Sequence, residues 1–331
     1  MTQIINNKQD MVDQSLDGVA FIHKHRLERV AKTGIIKRRD LQSVRGKVAL
    51  ISGGGSGHEP AHFGYVGAGM LSASVSGPVF VPPSSAEIYQ AIQLMKEASE
   101  VLLIIKNFEA DVREFLLAEK KAKQDGFLID HVIVDDDCSV EEGSLKKRRR
   151  GVAGTVFVHK ILGAAAAEGK SLSELKEMGE EVIANMNTLG VALHSGKITG
   201  ETKELFQLSE GQISFGIGIH GEAGYRVEPF YSSEYLANEL VNKLAAQSDD
   251  IKAHDLAIMI NGLGSTTAME QFIFANDVQR LLQLEGIQVA FRKAGNFMTS
   301  TNMAGISLSF LILKDTSWLT YLEAGTDSFA W

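Results

Sequence analysis

The chain has 331 residues, 44% of them hydrophobic and 22% charged, with a formal net charge of −8. That length holds one large domain or two ordinary ones, and the acidic balance argues against direct nucleic-acid binding across a broad surface. Cys138 is the single cysteine, which excludes an intrachain disulfide and a cysteine-rich zinc site, and no apolar run reaches membrane-span length.

The first residues, MTQIINNKQDMVDQ, are polar and carry no signal-peptide core, so a cytoplasmic location is expected. Residues 47–52 form an apolar run that reads as a strand into a glycine-rich turn, and Pro60 suits the first turn of a helix. Ser84-Ser85-Ala86-Glu87 reads as a capping box. Ile88, Ala91, Ile92 and Met95 follow it at the spacing of one buried helix face. Residues 101–105 predict a buried strand, 111–124 a helix and 127–134 another strand. Strand–helix–strand units of this length imply a largely parallel sheet flanked by helices.

Residues 152–169 and 171–186 read as helical, and 187–199, with Gly190 and Gly196, as less regular. A domain boundary near residue 190 follows, giving an N-terminal α/β domain over 1–190 and a C-terminal one over 191–331. In the latter, strand runs are expected at 212–219, 256–261, 287–291 and 305–313, and helices at 234–246 and 267–285.

Two glycine-rich segments contain a histidine at the end of a strand run. One is Ser52-Gly53-Gly54-Gly55-Ser56-Gly57-His58-Glu59-Pro60. The other, roughly 160 residues later, is Gly216-Ile217-Gly218-Ile219-His220-Gly221-Glu222. Glycine lets backbone approach a ligand closely, and histidine can serve there as base, nucleophile or donor. Lys106 and Asp111 flank the turn after a third strand end. Each has an ordinary alternative. The histidines serve as buried hydrogen-bonding residues, Lys106 snorkels to solvent, and Asp111 favours a helix N-terminus. Their shared position at the carboxyl ends of strands, where sheets of this kind bind ligands, argues for one site. G-x-G-x-x-G at 216–221 lacks the following helix and acidic-ended strand of a dinucleotide site, and no Walker loop follows Gly53. No cofactor and no metal are expected. The basic run Lys146-Lys147-Arg148-Arg149-Arg150 reads either as a solvated loop or as an anion or partner contact.

Six segments in order resemble the DhaK-type dihydroxyacetone kinase family. They are 52–60 (SGGGSGHEP), 64–71 (GYVGAGML), 149–156 (RRGVAGTV), 216–222 (GIGIHGE), 261–264 (NGLG) and 295–300 (GNFMTS). The resemblance implies a fold of two α/β domains and a homodimer. It also implies that His220 adds covalently to the carbonyl of dihydroxyacetone as a hemiaminal, a bond that glycerol, without a carbonyl, cannot form. Gly55, His58, Lys106 and Asp111 would hold the sugar, with His58 orienting it. In a kinase the residue matching Asp111 is the base, and phosphate comes from ADP on a separate DhaL subunit rephosphorylated by DhaM.

The chain departs from the kinase pattern at several loops. Asn107-Phe108-Glu109-Ala110-Asp111 stands where the kinases carry Asn-Tyr-Thr/Ala-Gly-Asp. If Glu109 points into the site, each like-charge pair with an anionic donor at roughly 8 Å costs about 2 kcal/mol at an effective dielectric of about 20. If it faces solvent, that cost falls away. Val79-Phe80-Val81-Pro82-Pro83-Ser84 replaces V-F-T-S-P-T, residues 143–148 differ, and Ala223 and Thr267 stand where the kinases usually carry proline. A retained sugar site beside altered donor-facing loops resembles DhaQ, the branch that acts as coactivator with the TetR-type regulator DhaS of the dha operon. That reading is preferred to the kinase subunit, and it leaves DNA contacts to the partner.

Overall fold

The protein is described from a computed structural model, which covers residues 3–139, 149–198, 200–201, 204–222 and 224–331. In chain order the elements are α1 (Met11–Ile22), β1 (Leu27–Arg29), β2 (Ile35–Arg38), β3 (Val48–Ser56), β4 (Ala73–Val79), α2 (Ser85–Leu94), β5 (Glu100–Lys106), α3 (Glu109–Gln124), β6 (Ile129–Val134), α4 (Thr155–Glu168) and α5 (Leu172–Ala184). There follow β7 (Met186–His194), β8 (Gln212–Phe215), β9 (Arg226–Pro229), α6 (Ser233–Ala245), β10 (Leu256–Gly262), α7 (Ala268–Leu284), β11 (Val289–Gly295), β12 (Ala304–Ile312) and α8 (Thr316–Glu323). No helix among the described residues is long and apolar enough to cross a membrane.

The chain forms two compact units. One comprises Met1–Val134, Val156–Glu181 and Glu323–Trp331, the other Asp135–Thr155 and Val182–Leu322. A single cut at residue 190 does not reproduce this division, because each unit is assembled from separate stretches. Strand pairing explains part of it. The segment after β6 is tied to β7 through Thr188, whose N–H donates to Asp136 O at 2.7 Å and whose carbonyl accepts from Cys138 N–H at 3.0 Å.

The first unit holds a six-stranded sheet in the order β1-β2-β4-β3-β5-β6. β4, β3, β5 and β6 are mutually parallel, while β1 and β2 run antiparallel at one edge. All nine residues of β3 are buried, as befits a central strand covered on both faces. On one face Ile88, Ala91 and Ile92 of α2 join Phe115, Ala118 and Ala122 of α3 against Ile51, Leu103 and Ile105. The capping box of α2 is present, with Ser84 accepting from Glu87 N–H. Pro60 does not start a helix; a single 3-10 turn, Phe63–Tyr65, follows it instead.

The second unit holds a mixed sheet in the order β11-β10-β12-β7-β8-β9, parallel between β10 and β11 and antiparallel elsewhere. β7 is central to it, although 187–199 reads as irregular in sequence. Its Gly190 faces Ser307 of β12 and its carbonyl accepts Gly216 N–H at 2.8 Å, so this glycine sits within a paired strand and is not a break. β8 ends at Phe215, short of the expected run to 219, and the glycine-rich stretch leaves the sheet there.

Candidate functional site

In the first unit β3 pairs with β5 only from Val48 to Ser52, and beyond that point it continues beside β4 alone. The sheet therefore opens at the carboxyl end of β3. This is also where the chain switches from β4 on one side to β5 on the other, the usual place for a ligand in an α/β sheet. Glycine is required along this edge. A Cβ on Gly53 would lie 2.2 Å from Val75 O, and one on Gly55 would lie 2.6 Å from Val81 N. On Gly54 it would lie 2.6 Å from Lys106 Nζ and 3.1 Å from Asp111 Oδ1. Ammonium and carboxylate thus converge on bare backbone at Gly54, while Gly55 packs under the Phe80–Val81 loop.

Lys106 ends β5 and is 1% exposed, which rules out snorkelling to solvent. Asp111 is buried in the first turn of α3, near the positive end of the helix dipole. Glu109 is exposed. Two residues along a helix turn the side chain by about 200°, so Glu109 and Asp111 project from opposite faces.

His58 is fully buried, its ring stacked on Phe80 at 5.1 Å between centroids. Behind it lie two histidines to which the sequence pattern assigns no role: His62 Nδ1 is 2.9 Å from His159 Nε2. Burial, then the charges of Lys106, His159 and His58, hold His62 well below its usual pKa. Burial and Lys106 bring His159 down to about 3. Both rings are therefore neutral near pH 7, and Lys106 supplies the positive charge of the group. Glu59 receives Gly57 N–H on both carboxylate oxygens, at 2.9 and 3.2 Å, and burial raises its pKa.

In the second unit the segment after β8 folds into a tight turn closed by Gly218 N–H to Glu222 O and Gly221 N–H to Gly218 O, each 3.1 Å. Gly221 takes φ +83, open to glycine at little cost. Glu222 folds back onto His220. Oε2 accepts the His220 backbone N–H at 3.0 Å, and Oε1 lies 3.0 Å from Nδ1. Burial alone would raise the Glu222 pKa, but the His220 hydrogen bond and the charges of His220 and Arg150 bring it to about 2. The ionised carboxylate can only accept, so Nδ1 of His220 carries a proton.

One of the other motif segments reaches this turn, and two more are held by buried polar side chains of their own. Ser300 donates to Ile219 O. Asn261 accepts from Phe297 N–H at 2.8 Å and Met298 N–H at 2.9 Å, and donates to Met298 O at 2.8 Å and Ser307 Oγ at 3.0 Å. Asp136 accepts from Val152 N–H at 2.7 Å and Gly154 N–H at 2.8 Å. Glu222 was legible only as the end of a motif; the signal that marks it is a carboxylate two residues after a histidine in a glycine turn. Residues 143–148 and Ala223, two of the loop departures, lie outside the described residues.

Residues 17–330 match the Dak1 domain family. The PTS-dependent dihydroxyacetone kinase, dihydroxyacetone-binding subunit DhaK of Lactococcus lactis subsp. lactis (strain IL1403) is 46% identical over 99% of this chain and 98% of its own length. The DhaKLM operon coactivator DhaQ of the same organism is 47% identical, over 98% of this chain and 99% of its own. A solved structure of the dihydroxyacetone kinase operon co-activator Dha-DhaQ superposes with a TM-score of 0.92 at 47% identity, covering 96% of this chain and 97% of that one. The native dihydroxyacetone kinase of C. freundii superposes with a TM-score of 0.91 at 34% identity, with 100% of this chain spanning 60% of that one.

Proposed function

The chain belongs to the Dak1 family of DhaK-type dihydroxyacetone kinases, and on that premise we propose that it binds dihydroxyacetone covalently through His220 and reports it as a transcriptional coactivator. The partner is a TetR-type regulator of the DhaS kind, acting on the dha operon. Nε2 of His220 adds to the ketone carbonyl to give a hemiaminal, and His58, Lys106, Asp111 and Gly55 hold the hydroxyls and the carbonyl oxygen.

The observation that carries the binding reading is the His220–Glu222 pair, in which the carboxylate holds both the backbone N–H and Nδ1 of the histidine and so supports a fixed ring orientation. Support for a sensor comes from where the departures fall. His58, Lys106 and Asp111 are buried and unchanged from the family pattern, whereas Glu109 and Val81, which depart from the kinase pattern, are exposed, Val81 at 51%. Exposed positions meet a partner, so their replacement fits a change of partner with the ligand kept.

One observation favours the second reading, a dihydroxyacetone-binding kinase subunit working with ADP-loaded DhaL and DhaM. Asp111 is buried beside Lys106, and Glu109 projects from the opposite face of α3, so the penalty for an anionic donor is not aimed at the base. The two readings separate in one assay. The chain is mixed with dihydroxyacetone, ADP-loaded DhaL and phosphorylated DhaM. The sensor reading expects an adduct without turnover, and dihydroxyacetone-dependent capture of the regulator. Phosphorylation at the rate of an authentic kinase subunit assigns the chain to the second reading.

A further inference from the structure

The basic run preceding the RRGVAGTV segment reads in sequence as a solvated loop or as an anion contact. Its last residue is neither. The Arg150 side chain is 13% exposed, and its guanidinium faces inward. Nε donates to Asp137 Oδ2 at 2.6 Å, and Nη2 lies 2.6 Å from the same oxygen. Nη2 also donates to Ser139 Oγ at 3.1 Å and to the carbonyl of Gly216 at 3.0 Å. Nη1 lies 3.7 Å from Glu222 Oε2. One planar fork therefore touches both ends of the histidine turn, Gly216 where it begins and Glu222 where it closes. Asp137, 3% exposed, anchors that fork from the other side.

We infer that Arg150 is a positioning residue for His220, acting through Glu222. This deepens the reading of His220 as the covalent nucleophile and rests on it. The geometry explains the glycine at 218: a Cβ there would lie 1.9 Å from Glu222 Oε2 and 2.3 Å from Arg150 Nη1, so a side chain would displace the carboxylate and the guanidinium together. Arginine suits the place better than lysine. A single ammonium has no rigid fork with which to hold Asp137, the Gly216 carbonyl and Glu222 at once.

The chemical consequence lies in the proton balance of addition. Nε2 forms a bond to the carbonyl carbon as the C=O π bond breaks, and the oxygen takes a proton from solvent. The imidazole, now bonded at Nε2, becomes neutral again by releasing the Nδ1 proton toward the Glu222 carboxylate, which passes it to solvent. No oxidant, reductant or co-reactant is needed. A carboxylate that Arg150 keeps ionised is ready to take that proton; without the guanidinium it loses both its charge partner and its position.

The test uses the full chain with Arg150→Met, Arg150→Lys, Glu222→Gln and His220→Ala. Two quantities are read: the His220 tautomer by proton–nitrogen correlation spectra without ligand, and the adduct by carbon NMR of dihydroxyacetone labelled at the carbonyl. The expected result is an Nδ1–H tautomer in the unsubstituted chain, a shift toward Nε2–H in Arg150→Met with at least tenfold weaker adduct formation, and partial recovery in Arg150→Lys. Glu222→Gln, which keeps the acceptor oxygen without the charge, is expected to keep the tautomer and still weaken the adduct. A folded Arg150→Met chain with unchanged tautomer and unchanged adduct overturns the inference. If Arg150→Met does not fold, Arg150→Lys and Glu222→Gln decide, and wild-type adduct strength in both overturns it equally. Absence of any adduct in the unsubstituted chain refutes the covalent reading of His220 instead, while the tautomer measurement still tests the link from Arg150 to His220.

Discussion

His62 Nδ1 and His159 Nε2 lie 2.9 Å apart, with both rings sealed from solvent. The contact is a hydrogen bond between two neutral imidazoles, one donating and one accepting, beside the buried ammonium of Lys106. The accepting ring cannot gain a proton without losing the bond, and protonation of either ring places a second cation in the interior. In the unfolded chain both protonate below the ordinary histidine value of about 6.5. Between that value and about 3, where His159 titrates when folded, the unfolded state binds more protons. Stability is thus fully present above pH 6.5 and lost as pH falls, by about 2 kcal/mol for His159 between pH 7 and pH 5.

Asp136 opposes this trend, because burial pushes its carboxyl up to about 6 and the folded state holds its proton first. The contribution of the histidine is therefore isolated by comparing the unsubstituted chain with His159→Gln. The variant is expected to lose less stability on acidification from pH 7 to pH 5. Urea midpoints at both pH values check this, and an identical acid dependence would show that the pair does not titrate as described.

Replacement of His220, the proposed nucleophile, separates binding from folding. His220 is partly exposed on a turn, so His220→Ala is expected to leave the unfolding free energy from urea titration within about 0.5 kcal/mol of the parent. It is expected to abolish the carbon signal of the adduct. A full-strength adduct in the variant would assign the covalent bond to another group.

Asn261 ties β10 to the 297–298 segment, two residues before Ser300, which holds Ile219 O. It is buried, and its side chain satisfies Phe297 N–H and Met298 N–H, both buried. Asn261→Ala leaves two interior donors without this acceptor, at about 1–3 kcal/mol for each unsatisfied group. A fall in unfolding free energy of at least about 2 kcal/mol is expected, with weaker adduct formation even where the chain remains folded.

Gly53→Ala probes the glycine edge of the first unit. Its methyl would meet Val75 O, a backbone atom locked in the β3–β4 pairing, at 2.2 Å. Backbone cannot rotate away as a side-chain tip can, so a loss of about 1–3 kcal/mol is expected. Thermal unfolding measures it, and unchanged stability would mean that the strands can separate at little cost.

Much of the architecture was legible in the residues. Periodicity and the capping box placed α2, and the apolar runs placed β3, β5 and β6; in β3 and β5 burial on both faces leaves a continuous hydrophobic signature. β1, β2, β4 and β9 carry no such signature: β1 and β9 are edge strands, β2 is only four residues long, and β4 is interrupted by Gly77 and Pro78. β7 was hidden by Gly190, which reads locally as a breaker although long-range pairing with β12 holds it in the strand. The division into units was equally out of reach of a single cut, since long-range contacts decide which stretches of chain belong together.

By itself the sequence determined the family, the α/β class and the chemical kinds of residue available: two histidines in glycine turns, a lysine and an aspartate at strand ends. It also bounded the interpretation of Glu109 without deciding it. Tertiary structure decided direction. It turned Glu109 outward and Asp111 inward, buried Lys106, paired His62 with His159, and put Glu222 and Arg150 behind His220. Local pattern specifies which groups exist and roughly how often they recur along an element. Proton position, charge and access depend on neighbours that only folding brings within a few ångströms.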